Sequence, residues 1–119
     1  MIDDIDIRVT LQEHSSPSYR IQIEDKLVYS TDVIYNPNDW IGCDKAALLL
    51  HECWDIDDNG KAKHTSLVSL LKSFPMDKFQ NILLVHQNPD WTKEDLDTIN
   101  KKLLGTNIGL ASDNTTLII

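Results

Sequence analysis

Four apolar residues, Ile5, Ile7, Val9 and Leu11, alternate with polar ones in "IDIRVTLQ", the period of a β-strand with one buried face. "YRIQIE" repeats the alternation through Ile21 and Ile23, and Glu24-Asp25 forms a short turn into "KLVYST", so these three runs predict an antiparallel meander. From Asp32 to Asp44 the chain carries "NPND" and Gly42, the composition of an irregular connection. The pattern then changes. "AALLL" is apolar without alternation, as in a strand covered on both faces. A polar stretch, "DIDDNGK", leads to "TSLVSLLKSF", where Leu67, Val68, Leu70, Leu71 and Phe74 fall on one helical face and Thr65 or Ser66 can cap the first turn. After Pro75 comes another apolar run in "NILLVHQ". Strand, helix and strand in this order make a βαβ unit, so the two apolar strands should be parallel. "TKEDLDTINKKLLG" predicts a second helix, with a capping box at Thr92 and Asp95, a stripe of Leu96, Ile99 and Leu103, and Gly105 as its stop. "IGLA" and "TLII", around Ser112-Asp113-Asn114, predict a closing hairpin. The result is an α/β fold: a mixed sheet with an antiparallel meander, a βαβ unit and two helices on one face.

Length and charge narrow the functional classes. The 119 residues suit one domain, spanning 1–119. No run is apolar for long enough to cross a bilayer, and the opening "MIDDIDIR" is acidic where a secretion signal would be basic, so a soluble cytoplasmic protein with no membrane partner is expected. Nineteen acidic against eleven basic residues leave a net charge of -8, which disfavours tight binding of long nucleic acid. A small anionic substrate held through a metal remains compatible with that field. Cys43 and Cys53 lack the spacing of a zinc knuckle and read as free buried thiols.

Parallel strands end on the same edge of a sheet, where open α/β folds form their ligand sites. His51 and Glu52 follow "AALLL", His86 follows "ILLV", and His64 stands just before the first helix, so all four are expected on one rim. Asp32 ends "KLVYST" and has the chemistry of a bridging ligand, while the His86 imidazole suits a terminal one. The plainer reading of any single strand-end histidine is a hydrogen-bonded structural residue. "DIDDNG" places Asp55, Asp57 and Asn59 as an EF-hand loop would, but the closing glutamate is missing and Lys61 and Lys63 occupy later ligand positions, which leaves a solvated loop.

In order and spacing, "EHSSPSYRIQIEDKLVYSTD", "LLLHEC", "KHTS" and "LLVHQNP" resemble the C-terminal half of metallo-β-lactamase-fold hydrolases, in particular the ribonuclease Z-like phosphodiesterase branch. The resemblance implies half of an αββα sandwich whose uncovered sheet face packs on a second sheet. It implies that Asp32 bridges two metals and His86 ligates one, that His64 is a proton donor over the scissile phosphate, and that Glu52, from the "HE" pair with His51, orients it. His14, before the "YRI" strand, would contact substrate or support a ligand. The family's HxHxDH motif is absent, "STDV" stands for "SGDT", and "SYRI" lacks the glycine of "GYRI". Zinc or manganese would therefore bind weakly or not at all to the chain alone. Two roles follow: a partial metal-dependent hydrolase of a small phosphodiester or nucleotide, completed by a chain carrying HxHxDH, or a non-catalytic dimerisation, regulatory or inhibitory module derived from that fold. The bare sheet face predicts a homodimer or such a complementing chain as partner.

Overall fold

The fold is that of a computed structural model, which describes residues 4–12, 17–31, 33–36, 40, 45–57 and 64–113. Six strands form one mixed sheet in sequence order: β1 (Ile7–Gln12), β2 (Ser18–Ile23), β3 (Leu27–Ser30), β4 (Ala46–Glu52), β5 (Phe79–Val85) and β6 (Ile108–Leu110). The first three form the antiparallel meander, and β3 to β6 pair in parallel. Helix α1 (Leu67–Ser73) connects β4 to β5, with a 3-10 turn at Met76–Lys78, and α2 (Lys93–Leu103) connects β5 to β6. β6 runs parallel to β5. The "TLII" half of the expected hairpin lies outside the described residues.

Both helices start where the sequence provides a cap. Ser66 accepts the Ser69 N–H at 3.2 Å, and Thr92 and Asp95 exchange the reciprocal bonds of a capping box. Gly105, at φ +79°, supplies the left-handed residue that ends α2, a conformation in which a Cβ is costly. Leu67, Leu70 and Phe74 of the first helical segment and Ile99 and Leu103 of α2 pack with Val28, Leu49, Ile82, Leu84 and Ile108 of the sheet in one core. Val68 lies one residue off the 67/70/74 stripe, about 100° around the helix, and is exposed. Among the described residues, no helix is long and apolar enough to cross a membrane.

The meander departs from expectation in which of its faces is covered. Register pairs Val9 with Ile21, Leu11 with Tyr19, and Ile21 with Tyr29, so these side chains share one face. That face points away from the helices: Ile5, Ile7, Val9, Leu11, Tyr19, Ile21 and Tyr29 are 37% to 63% exposed. Gln12, Ser18, Gln22 and Ser30 are buried on the other face. Their polar atoms are bonded there: Gln12 Nε2 donates to Ser18 Oγ at 3.2 Å and to the Thr31 carbonyl at 3.1 Å, and Ser30 Oγ donates to Gln12 Oε1. Alternation predicted the strands correctly, and the side carrying the apolar set turned out to be the side without helices.

Candidate active site

Parallel pairing places the end of β4 beside the end of β5, with Glu52 opposite Val85. Cys53 N–H donates to the Val85 carbonyl at 3.1 Å and keeps the two chains together as they leave the sheet. His86 follows at φ +49°, a left-handed conformation that histidine adopts more readily than most residues and that redirects the chain at the rim. The segment before α1 runs back alongside: Trp54 N–H donates to the Thr65 carbonyl at 3.0 Å, and Asp55 and Ser66 form an isolated parallel bridge. This zipping delivers His64 to Glu52.

Glu52 is fully buried. A carboxylate there needs donors to replace water, and it has them: Val33 N–H donates to Oε1, Thr65 N–H to Oε2 at 3.3 Å, and His64 Nδ1 lies 2.9 Å from Oε2 and 3.1 Å from Oε1. Thr65 Oγ1 donates to the Val33 carbonyl at 3.0 Å, so the same residues hold one another. With Nδ1 engaged by Glu52, His64 Nε2 lies across the ring, directed away from the carboxylate. The His86 ring stands perpendicular to that of His64 at 5.0 Å between centroids, and Trp54 touches both, at 5.4 Å from His64 and 5.3 Å from His86.

Ligand-type atoms of Glu52, His64 and His86 all lie within 4.8 Å of one another, close enough for one cation to reach all three. The Glu52 oxygens already accept from two backbone N–H groups and an imidazole, so a metal would have to compete with the bonds that hold the site together. The two imidazoles keep ligand chemistry, and two nitrogens do not complete a zinc or manganese shell. The donor set of the described residues fits such a metal only when other ligands complete it.

The structure brings Glu52, His64 and His86 together and separates His51 from them. Successive strand residues point to opposite faces, so His51 enters the helix-side core while Glu52 turns to the rim. His51 packs against Phe74, Trp40 and Tyr35 with centroids 5.6, 5.9 and 6.4 Å away, and its Nδ1 bonds the Glu52 carbonyl at 2.8 Å. Its Nε2 is buried without a hydrogen-bond partner. Burial pushes its pKa down to about 4; the bond to the Glu52 carbonyl opposes that shift and the Arg20 charge adds to it. Asp32 and His14 lie outside the described residues. Trp54 was not anticipated, because a tryptophan two residues past Glu52 reads as ordinary core. The backbone donors of Val33 and Thr65 have no sequence signature, since any residue but proline can supply them.

A family profile described as "Anti-Pycsar protein Apyc1" matches residues 1–107. The chain belongs to that family. Two solved structures share the fold of this Apyc1-family chain. One is the metallo-β-lactamase-fold protein YhfI from Bacillus subtilis, at 20% identity and a TM-score of 0.71, covering 93% of this chain and 48% of that one. The other is described as a new diphosphatase from the PhnP family, at 14% identity and a TM-score of 0.75, covering 100% of this chain and 45% of that one. The chain thus has the metallo-β-lactamase fold and spans about half the length of these structures. No curated protein sequence matches it.

Proposed function

We propose that this chain supplies the proton-donating side, and part of the metal-holding side, of a metal-dependent phosphodiesterase completed by a polypeptide that carries HxHxDH. The reading rests on one observation: a fully buried Glu52 holds His64 Nδ1 at 2.9 Å, with the His86 ring beyond it at the C-terminal edge of parallel strands. Glu52 sets the tautomer and rotamer of His64, whose opposite nitrogen carries a proton to the leaving oxygen of a phosphodiester. Trp54, against both imidazoles, limits their rotation. His86 and Asp32 would hold zinc or manganese together with histidines from the complementing polypeptide; when bound, the metal would supply an activated water and charge stabilisation at the phosphate. His14 and His51 take supporting roles, the latter through the Glu52 carbonyl. The net charge of -8 favours a cyclic or short nucleotide over long RNA, in the cytoplasm, and the family's description supports an anti-Pycsar role.

The apolar face of β1 to β3 supports the need for a partner. A second sheet packed about 10 Å away would cover it. A second copy of the chain would cover the same face in a homodimer, which favours a second reading: a non-catalytic dimerisation, regulatory or inhibitory module.

The test compares metal content and nucleotide turnover for the chain alone and with an HxHxDH-bearing half. The chain alone should bind little metal and turn over nothing, and near-stoichiometric tight metal would contradict this. In the completed protein, His64→Ala should lower turnover by a factor on the order of 10²–10⁴ and spare the metal, while Asp32→Ala loses both. Equal metal loss in the two variants would make His64 a ligand. Unchanged turnover in both would leave the non-catalytic reading.

A further inference from the structure

His86 is exposed at the rim and holds a left-handed backbone at φ +49°. A Cβ disfavours that conformation, so it persists where the surrounding chain holds it in place. The rings of Trp54 and His64 touch the imidazole, whereas the backbone that aims it is held from its two flanks. On one flank Cys53 N–H donates to the Val85 carbonyl at 3.1 Å and binds the residue before His86 to β4. On the other, Gln87 folds its side chain back: Nε2 donates to the Leu84 carbonyl at 2.9 Å and to the Ala111 carbonyl at 2.9 Å. The Leu84 carbonyl also accepts the Ala111 N–H at 3.1 Å. Both hydrogens of the Gln87 amide are thus used to close a bracket over residues 84 to 87 and to tie it to the end of β6. Asn107 builds the same device at the opposite end of the β5–β6 pair, where its Nδ2 donates to the Met76 carbonyl at 3.0 Å and to the Phe79 carbonyl at 2.7 Å. The two clamps have the same chemistry, and Gln87 alone of the two adjoins a left-handed residue of the candidate active site.

We propose that Gln87 is a positioning residue for His86: its two hydrogen bonds hold residue 86 in the left-handed conformation and so aim the imidazole at His64 and Glu52. The inference rests on the phosphodiesterase reading for what the aimed imidazole does, and it adds the residue that aims it. Without the bracket, residue 86 relaxes to a conformation with negative φ, its Cβ points elsewhere, and the imidazole leaves the group whose ligand atoms lie within 4.8 Å of one another. Contacts that orient a ligand in this way change metal affinity about 10- to 100-fold when removed.

The experiment compares Gln87→Met with Asn107→Leu, each of which keeps the approximate side-chain size and removes two donors without adding charge. NMR of the chain follows residue 86 through its one-bond Cα–Hα coupling and its intraresidue HN–Hα cross-peak, both of which report a positive φ. Both variants should unfold at lower urea concentration, because each leaves carbonyls without a donor. Gln87→Met should also change the coupling, weaken the cross-peak and displace the ring signals of His64 and His86, while Asn107→Leu leaves all three as in the wild type. Gln87→Glu, which keeps the shape and loses the donors, should repeat the change at residue 86. In the protein completed by an HxHxDH-bearing half, Gln87→Met should weaken zinc about tenfold and Asn107→Leu should not weaken it. Residue 86 keeping its coupling and cross-peak in the Gln87 variants would overturn the inference, as would equal changes in Asn107→Leu. The NMR readout needs neither metal nor turnover. A completed protein that shows these changes and hydrolyses nothing would strike the hydrolytic reading alone, and turnover in a protein whose residue 86 ignores Gln87 would strike this inference alone.

Discussion

On the helix side of β1 to β3, Gln12, Ser18, Gln22 and Ser30 are polar and buried beside an apolar Val28; on the opposite side seven large apolar side chains are exposed. The parallel strands differ, because Leu49, Ile82 and Leu84 meet α1 and α2 in an apolar core. The meander thus inverts the usual order of polar outside and apolar inside. Burial of Gln12, Ser18 and Ser30 is tolerable because each has a hydrogen-bond partner in the described network. Exposure of seven large apolar side chains carries no such compensation, and a contiguous patch of that kind marks an interaction surface. The difference teaches that the helices stabilise the parallel half, while the apolar face of the meander meets neither helix.

Charging that face should break the comparison most severely. Val9→Asp is expected to weaken association with a partner or a second copy at least about a hundredfold, since an unpaired charge in a buried interface costs roughly 3 kcal/mol or more, while near-ultraviolet dichroism of the chain stays unchanged. Sedimentation showing the same association for both proteins would mean the face is not the interface.

Truncation should separate the two halves next. Leu49→Ala, in the fully buried core, should cost about 2–5 kcal/mol in urea unfolding of the chain. Val9→Ala, at 62% exposure, should cost less than about 0.5 kcal/mol in the same experiment. Similar losses would indicate that the chain alone already covers its meander.

Acid should find the helix side through His51. Its pKa falls from 6.5 to about 4 on folding, mainly through burial, so between those values the unfolded chain binds a proton that the folded chain refuses. The contribution is fully present above pH 6.5, declines as pH drops toward 4 and levels off below, a loss of up to roughly 3 kcal/mol. His51→Phe should flatten that part of the stability profile. An unchanged slope would assign the acid sensitivity to other groups.

The smallest effect belongs to a local device. Thr92→Ala removes one half of the α2 capping box and should lower stability by about 1 kcal/mol, read as a shift in denaturant midpoint with the m-value unchanged. A loss several times larger would tie the cap to tertiary packing.

The sequence by itself determined the elements and much of the rim. Alternation over Ile7 to Leu11 and a helical stripe at Ile99 and Leu103 are local periodicities, and the Thr92–Asp95 box is a contact across one turn, so no distant part of the chain is needed to read them. Two continuous apolar runs separated by a helix likewise require parallel strands, and with them Glu52 and His86 at a common edge. The tertiary structure alone decided which face of the meander was covered, because a strand's alternation sorts side chains into two sets without saying where the helices will lie. It parted His51 from Glu52, placing one in an aromatic core and the other at the rim, and it aimed the backbone donors of Val33 and Thr65 at the buried carboxylate. Those features depend on atoms brought together from segments 13 to 32 residues apart, and the distances between such segments are set by packing of the whole chain rather than by any short stretch of it.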